Sequence, residues 1–70
     1  SLKKAAAQLA GAPDATTIYQ LLGDSYERAK MYQQAIKVYE DYLSLFPDAN
    51  EAETFRSFIV QLQKRIKEEQ

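Results

Sequence analysis

The chain has 70 residues, and nine basic side chains against ten acidic ones leave a net charge of −1, a balance that gives no general attraction to nucleic acid or to an anionic membrane surface. It holds no cysteine and no histidine, which removes disulfides, thiolate nucleophiles, imidazole bases and nearly every transition-metal site, so neither an enzyme nor a cofactor is expected. With 46% hydrophobic and 27% charged residues and only two glycines and two prolines, the composition is that of a soluble packed domain rather than a disordered segment.

A chain of this length buries only about 60% of the surface its unfolded form exposes, so one domain with a thin core is expected over residues 1–70. The apolar runs are a few residues long, too short for membrane insertion. The start at Ser1, without methionine or a signal-like run, reads as a piece cut from a longer protein.

In chain order, Leu2, Ala5, Ala6 and Leu9 fall at three-to-four spacing and predict a short helix over residues 1 to 10, ended by Gly11 and Pro13. Asp14 or Thr16 can cap a second helix over about 15 to 29, whose apolar stripe is Ile18, Leu21, Leu22, Ser25/Tyr26 and Ala29. Lys30, Met31 and Tyr32 form a connection short enough to force an antiparallel hairpin. A third helix follows from about Gln33 to Leu45, with Ala35, Ile36, Tyr39, Tyr42, Leu43 and Phe46 inward. After Pro47, Asp48 or Asn50 caps a fourth helix from about Glu51 to Glu68, and Ala52, Phe55, Ile59, Leu62 and Ile66 share its inner face. No strand pattern occurs, so the fold class is all-α.

The chain also repeats itself. Pro13-Asp14-Ala15 returns as Pro47-Asp48-Ala49, Leu9 as Leu43 and Leu2 as Ile36, at about 34 residues, a period of helix-hairpin arrays. With Tyr19, Leu22, Gly23, Tyr26, Ala35, Tyr39 and Pro47 at their spacings, the chain resembles the tetratricopeptide repeat family. A glycine inside a helix costs about 1 kcal/mol relative to alanine, so Gly23 needs a compensating close approach, here expected from Ala35, with Tyr26 and Tyr39 filling the wedge to either side. Lys30 stands where the family has glycine in the turn, Tyr42 replaces a small residue, and Ser57, Phe58 and Val60 stand where the next glycine and tyrosine would fall. The resemblance therefore implies a tetratricopeptide-type α-solenoid of about four helices in antiparallel hairpins. Residues 1–12 are the second helix of a partial repeat, 16–49 one complete repeat, and 50–69 a C-terminal capping helix.

For function, the resemblance implies a protein-interaction scaffold in which the second and fourth helices line a concave groove for a partner's peptide or helix. Thr17, Gln20, Asp24 and Glu27 would face that groove, joined by Thr54, Phe58 and Gln61. Family members that clamp a C-terminal carboxylate carry Lys, Asn or Arg at the places of Gln20 and Asp24. The acid at Asp24 argues against that ligand and favours a partner with basic or amide groups.

Phe58 falls off the inward stripe and reads either as an exposed anchor or as core wrapped onto the second helix. The tyrosines sit at core spacing rather than as base-stacking platforms. Lys64-Arg65-Ile66-Lys67 is too short for a nucleic-acid footprint, and pairs from Lys64 to Glu68 and Arg65 to Glu69 would hold a solvated helix end. The alternative function is self-association: if the first helix lacks its usual neighbour, Leu2, Ala6 and Leu9 present an uncovered face for a second copy or for upstream repeats.

Overall fold

The computed structural model describes residues 14–70, which form three α-helices and no strand: α1 (Ala15–Arg28), α2 (Tyr32–Leu45) and α3 (Ala52–Glu68). The helix expected over residues 1 to 10, with Leu2, Ala6 and Leu9, lies outside the described residues. Of the two candidate caps for α1, Asp14 takes the role. Its carboxylate accepts the Thr17 backbone N–H at 2.9 Å, and that bond holds the Asp14 carboxyl below its ordinary range.

α1 ends in a tight turn in which the Lys30 N–H donates to the Glu27 carbonyl at 2.9 Å and the Met31 N–H to the Tyr26 carbonyl at 2.8 Å. This pair of bonds is the Schellman arrangement, which needs a left-handed residue between them. Lys30 supplies it at φ 63°, a conformation that costs a side-chain-bearing residue energy that glycine avoids. Because the turn closes by Met31, the next helix begins at once. Tyr32 is the first residue of α2 and is buried, not part of the connection.

α2 is the middle layer, packed against α1 on one side and α3 on the other. Its buried side chains are Tyr32, Ala35, Ile36, Val38, Tyr39 and Tyr42, so Val38 joins the expected core, while Leu43 is only half-buried and Phe46 stays exposed beyond the helix end. Toward α1, Tyr42 shares a 2.8 Å hydrogen bond with the Thr16 hydroxyl and tilts against Tyr19. Toward α3, Tyr42 stacks on Phe55 with centroids 4.1 Å apart, and Tyr39 meets Phe55 edge-on at 5.2 Å. Each such aromatic pair adds about 0.5–1.5 kcal/mol beyond the area it buries.

Gly23 is explained by a different neighbour from the one expected. The atoms nearest to a Cβ built at Gly23 belong to the ring of Tyr39, whose hydroxyl oxygen would lie 2.7 Å away and whose ring carbons would lie closer still. Ala35 is fully buried, but it is the Tyr39 ring that requires glycine. The α1 residues turned toward α2 are thus Thr16, Tyr19, Gly23 and Tyr26, spaced three, four and three. The broad stripe expected for α1 is wide enough for two neighbours, and the described residues supply one, so Ile18, Leu21 and Leu22 are exposed.

Between α2 and α3, Pro47 sits in an exposed turn closed by the Ala49 N–H donating to the Phe46 carbonyl and the Ala52 N–H to the Ala49 carbonyl. Neither Asp48 nor Asn50 caps α3. The residue preceding the helix is Glu51, which makes no capping side-chain bond. Ala52, Phe55 and Leu62 are buried, with Ile59 and Ile66 half-buried on the same face.

The expected ion pairs along the end of α3 do not form among the described residues. Arg65 instead reaches Glu27 of α1 at 3.6 Å, and its guanidinium lies 5.7 Å from the centre of the Tyr32 ring. Glu69 accepts the Tyr32 hydroxyl at 3.1 Å. Cross-helix partners at the open end of the stack therefore replace the local i,i+4 ones.

Candidate functional site

Three- and four-residue steps along α1 put Thr17, Gln20, Leu21, Asp24 and Glu27 on one flank, adjacent to the flank that packs on α2. These side chains form one wall of a cavity of about 460 Å³. Tyr39 of α2 is its floor and Phe58 of α3 its opposite wall. The cavity is concave because α1 and α3 stand on either side of α2, and because Gly23 lets the Tyr39 ring sink against α1.

Of the residues singled out from sequence for the groove, the structure brings Thr17, Gln20, Asp24, Glu27 and Phe58 together around this cavity. Thr54 and Gln61 are exposed on α3 and lie outside the lining. Phe58 falls between its two readings, with its ring packed on α2 and α3 where the core reading placed it on the second predicted helix. It is half-buried, with its ring 5.2 Å from Tyr39 and 5.7 Å from Phe55, and it still faces the cavity. Val60, in contrast, points to solvent.

Leu21 and Tyr39 also line the cavity although sequence reasoning did not assign them to it. The step from Thr17 to Leu21 to Asp24 carried the signal for Leu21. Tyr39 gave none, because its spacing marks it as core, and core and cavity floor share one side of α2.

The lining carries two carboxylates, Asp24 and Glu27, and no basic side chain. Each carboxylate has a guanidinium outside the lining: Arg28 Nε lies 3.0 Å from Asp24 and Arg65 Nη1 lies 3.6 Å from Glu27. The Tyr39 phenol is pushed up to about 12, first by burial and then by the charges of Glu27 and Asp24. It therefore stays neutral at ordinary pH and keeps its proton for hydrogen bonding.

Chemically, the site offers carboxylates, hydroxyls, an amide and aromatic faces, which is equipment for holding a ligand. Among the described residues no cluster of His, Cys, Asp or Glu could hold a metal ion. A second, shallower cavity of about 400 Å³ lies between α2 and α3 and is lined by Gln33, Ile36, Lys37, Glu40, Gln63 and Ile66. Its long polar side chains are those of a solvated surface, and Lys37 is already paired with Asp41 at 3.6 Å.

Compared with known families, residues 16–57 match the tetratricopeptide repeat. The match spans more than half of the chain and covers α1, α2 and the first turns of α3. No curated protein and no solved structure matches the chain. No described helix is long and apolar enough to cross a membrane.

Proposed function

The chain belongs to the tetratricopeptide repeat family, a scaffold fold whose repeats generally mediate protein–protein interaction without catalysis, and on that premise we propose that it holds a peptide or helix of a partner protein in the concave groove between α1 and α3. The observation that carries this reading is the cavity over Tyr39, where Thr17, Gln20, Asp24 and Glu27 of α1 face Phe58 of α3. A ligand laid along α1 meets hydrogen-bonding groups at every turn and an apolar wall opposite them, the combination that gives a groove both affinity and register.

The proposed organisation follows the same logic. Residues 16–49 are the complete repeat and 50–69 a capping helix, while the partial repeat expected over residues 1–12 lies outside the described residues. Ser57 supports the capping assignment. One repeat after Gly23, it is exposed instead of lying under a tyrosine, and Arg56, Val60 and Lys64 beside it are also exposed. A largely polar outer face is what a terminal helix of an array requires.

Selection of a random peptide library on the full chain provides the test. Selected peptides are expected to bind the Asp24→Lys variant at least about tenfold more weakly, a change of about 1.4 kcal/mol, while its helical circular dichroism stays that of the parent. Peptides that bind parent and variant equally would remove the groove from consideration.

A second reading is favoured by a separate observation: Ile18 and Leu22 are exposed on the outer face of α1. Self-association would bury this face, and the face expected from sequence at Leu2, Ala6 and Leu9 lies outside the described residues. Sedimentation velocity over a range of concentrations is expected to show a dimer that Leu22→Glu abolishes. A chain that stays monomeric throughout contradicts this reading.

A further inference from the structure

We propose that the cavity over Tyr39 is a socket for a basic side chain, arginine or lysine, presented by the bound partner; this rests on the groove reading above and specifies what the groove selects.

Charge is the first reason. Asp24 and Glu27 are the charged groups of the lining, and no basic side chain joins them there. Both carboxylates already have a guanidinium nearby, Arg28 at 3.0 Å and Arg65 at 3.6 Å. Arg28 and Arg65 are themselves half or more exposed, and ion pairs so exposed are weak enough to be exchanged for a better-placed cation.

Independently of the acids, the Tyr39 hydroxyl points to a ligand. Tyr39 is 98% buried, since only 2% of its surface is accessible, and it makes no hydrogen bond to another side chain among the described residues. Among the described residues no fully buried side-chain oxygen or nitrogen lacks a partner, and Tyr39 is one of the residues that line the cavity. Burial first, and then the charges of Glu27 and Asp24, raise its pKa.

Shape completes the assignment. Leu21 and Phe58 give the aliphatic stem of a long basic side chain an apolar channel. The half-buried ring of Phe58, 5.2 Å from the buried Tyr39 ring, offers an aromatic face that attracts a cation. A guanidinium or ammonium at the bottom donates to Asp24 or Glu27 and to the Tyr39 oxygen. An anionic guest finds no cation in the lining, and a neutral apolar one leaves the hydroxyl and both carboxylates without new partners.

The test is a ¹H–¹⁵N correlation titration of the full chain with four capped amino acids: the N-acetyl amides of arginine, lysine, norleucine and glutamate. Arginine or lysine is expected to shift the cross-peaks of Gln20, Asp24, Glu27 and Phe58, and norleucine and glutamate to leave them in place. Neutralising both acids with Asp24→Asn and Glu27→Gln removes no apolar packing and is expected to weaken the basic probe about tenfold. Tyr39→Phe, which keeps the ring, is expected to weaken it about threefold.

Norleucine shifting the same cross-peaks as strongly would overturn the proposal and leave the groove reading standing. An arginine response unchanged in the neutralised variant, or no response to any probe, overturns it as well, and the library selection then decides the groove reading separately. Shifts of these residues with protein concentration alone would assign the socket to a second copy and overturn a partner's side chain as its guest.

Discussion

α1 and α2 have the same length, 14 residues each, yet α1 buries only Gly23 while α2 buries most of its apolar side chains. Ile18, Leu21 and Leu22 of α1 are as hydrophobic as anything in α2, and all three are exposed. Burial here is set by place in the stack. α2 has a helix on each side, whereas α1 has one neighbour among the described residues. In repeat folds stability is roughly a sum over units and their interfaces, so this molecule concentrates stability on the two faces of α2 and leaves the flanks of α1 available for contacts.

The largest test of that contrast is Phe55→Ala. Phe55 is fully buried between Tyr39 and Tyr42, and its truncation is expected to cost about 3–5 kcal/mol in urea unfolding, comparable to all that a single core supplies in a chain this small. Leu22→Ala on the outer face of α1 should change stability by no more than about 0.5 kcal/mol. Equal costs at the two sites would dissolve the comparison.

Gly23→Ala comes next. Alanine is the better helix former by about 1 kcal/mol, yet its methyl would enter the Tyr39 ring, so a net loss of about 1–3 kcal/mol is expected from overpacking. A gain in stability would show that the one buried point of α1 is not a close contact.

Alkali probes the same contact from the side of α2. The ordinary tyrosine pKa is about 10, and that of Tyr39 is pushed up to about 12, with burial as the main cause. Because the folded chain holds the phenol neutral, the resulting stability is complete below pH of about 10 and is lost as pH rises toward about 12. Urea midpoints measured across this range should fall more steeply for the parent than for Tyr39→Phe.

The smallest effect belongs to the hinge between the two helices. Lys30 is left-handed at φ 63°, so Lys30→Gly is expected to raise stability by about 0.5–1 kcal/mol in thermal unfolding. A loss would mean that the lysine side chain contributes more than its backbone conformation costs.

Much of this architecture was legible in the sequence where a single local signal decided the outcome. Asp14 capped α1 because a carboxylate three residues before a free N–H has one favourable target. The three-four alternation of Ala52, Phe55, Ile59, Leu62 and Ile66 gave the inner face of α3. The family resemblance, not a local signal, implied a groove with Thr17, Gln20, Asp24, Glu27 and Phe58, and these five side chains line one cavity.

The features that spacing left undecided depend on reach and on neighbours. Spacing shows that Gly23 faces α2, but the length of the Tyr39 side chain, not the position of Ala35, determines what touches it. Arg65 had a local acid at Glu69 and a distant one at Glu27, and only the packing of α3 beside α1 brings the distant one within range. Thr54 and Gln61 share the expected flank of α3 but diverge from the cavity, because only the bulk of Phe58 spans the gap to Tyr39.

The central claim is that the flank of α1 facing α3, and not its exposed outer face, receives the partner. Titration of the ¹⁵N-labelled chain with a library-selected peptide tests it most directly. The account predicts shifts at Thr17, Gln20, Asp24, Glu27 and Phe58, with Ile18 and Leu22 unmoved. Shifts centred on Ile18 and Leu22, with the cavity residues silent, would contradict it.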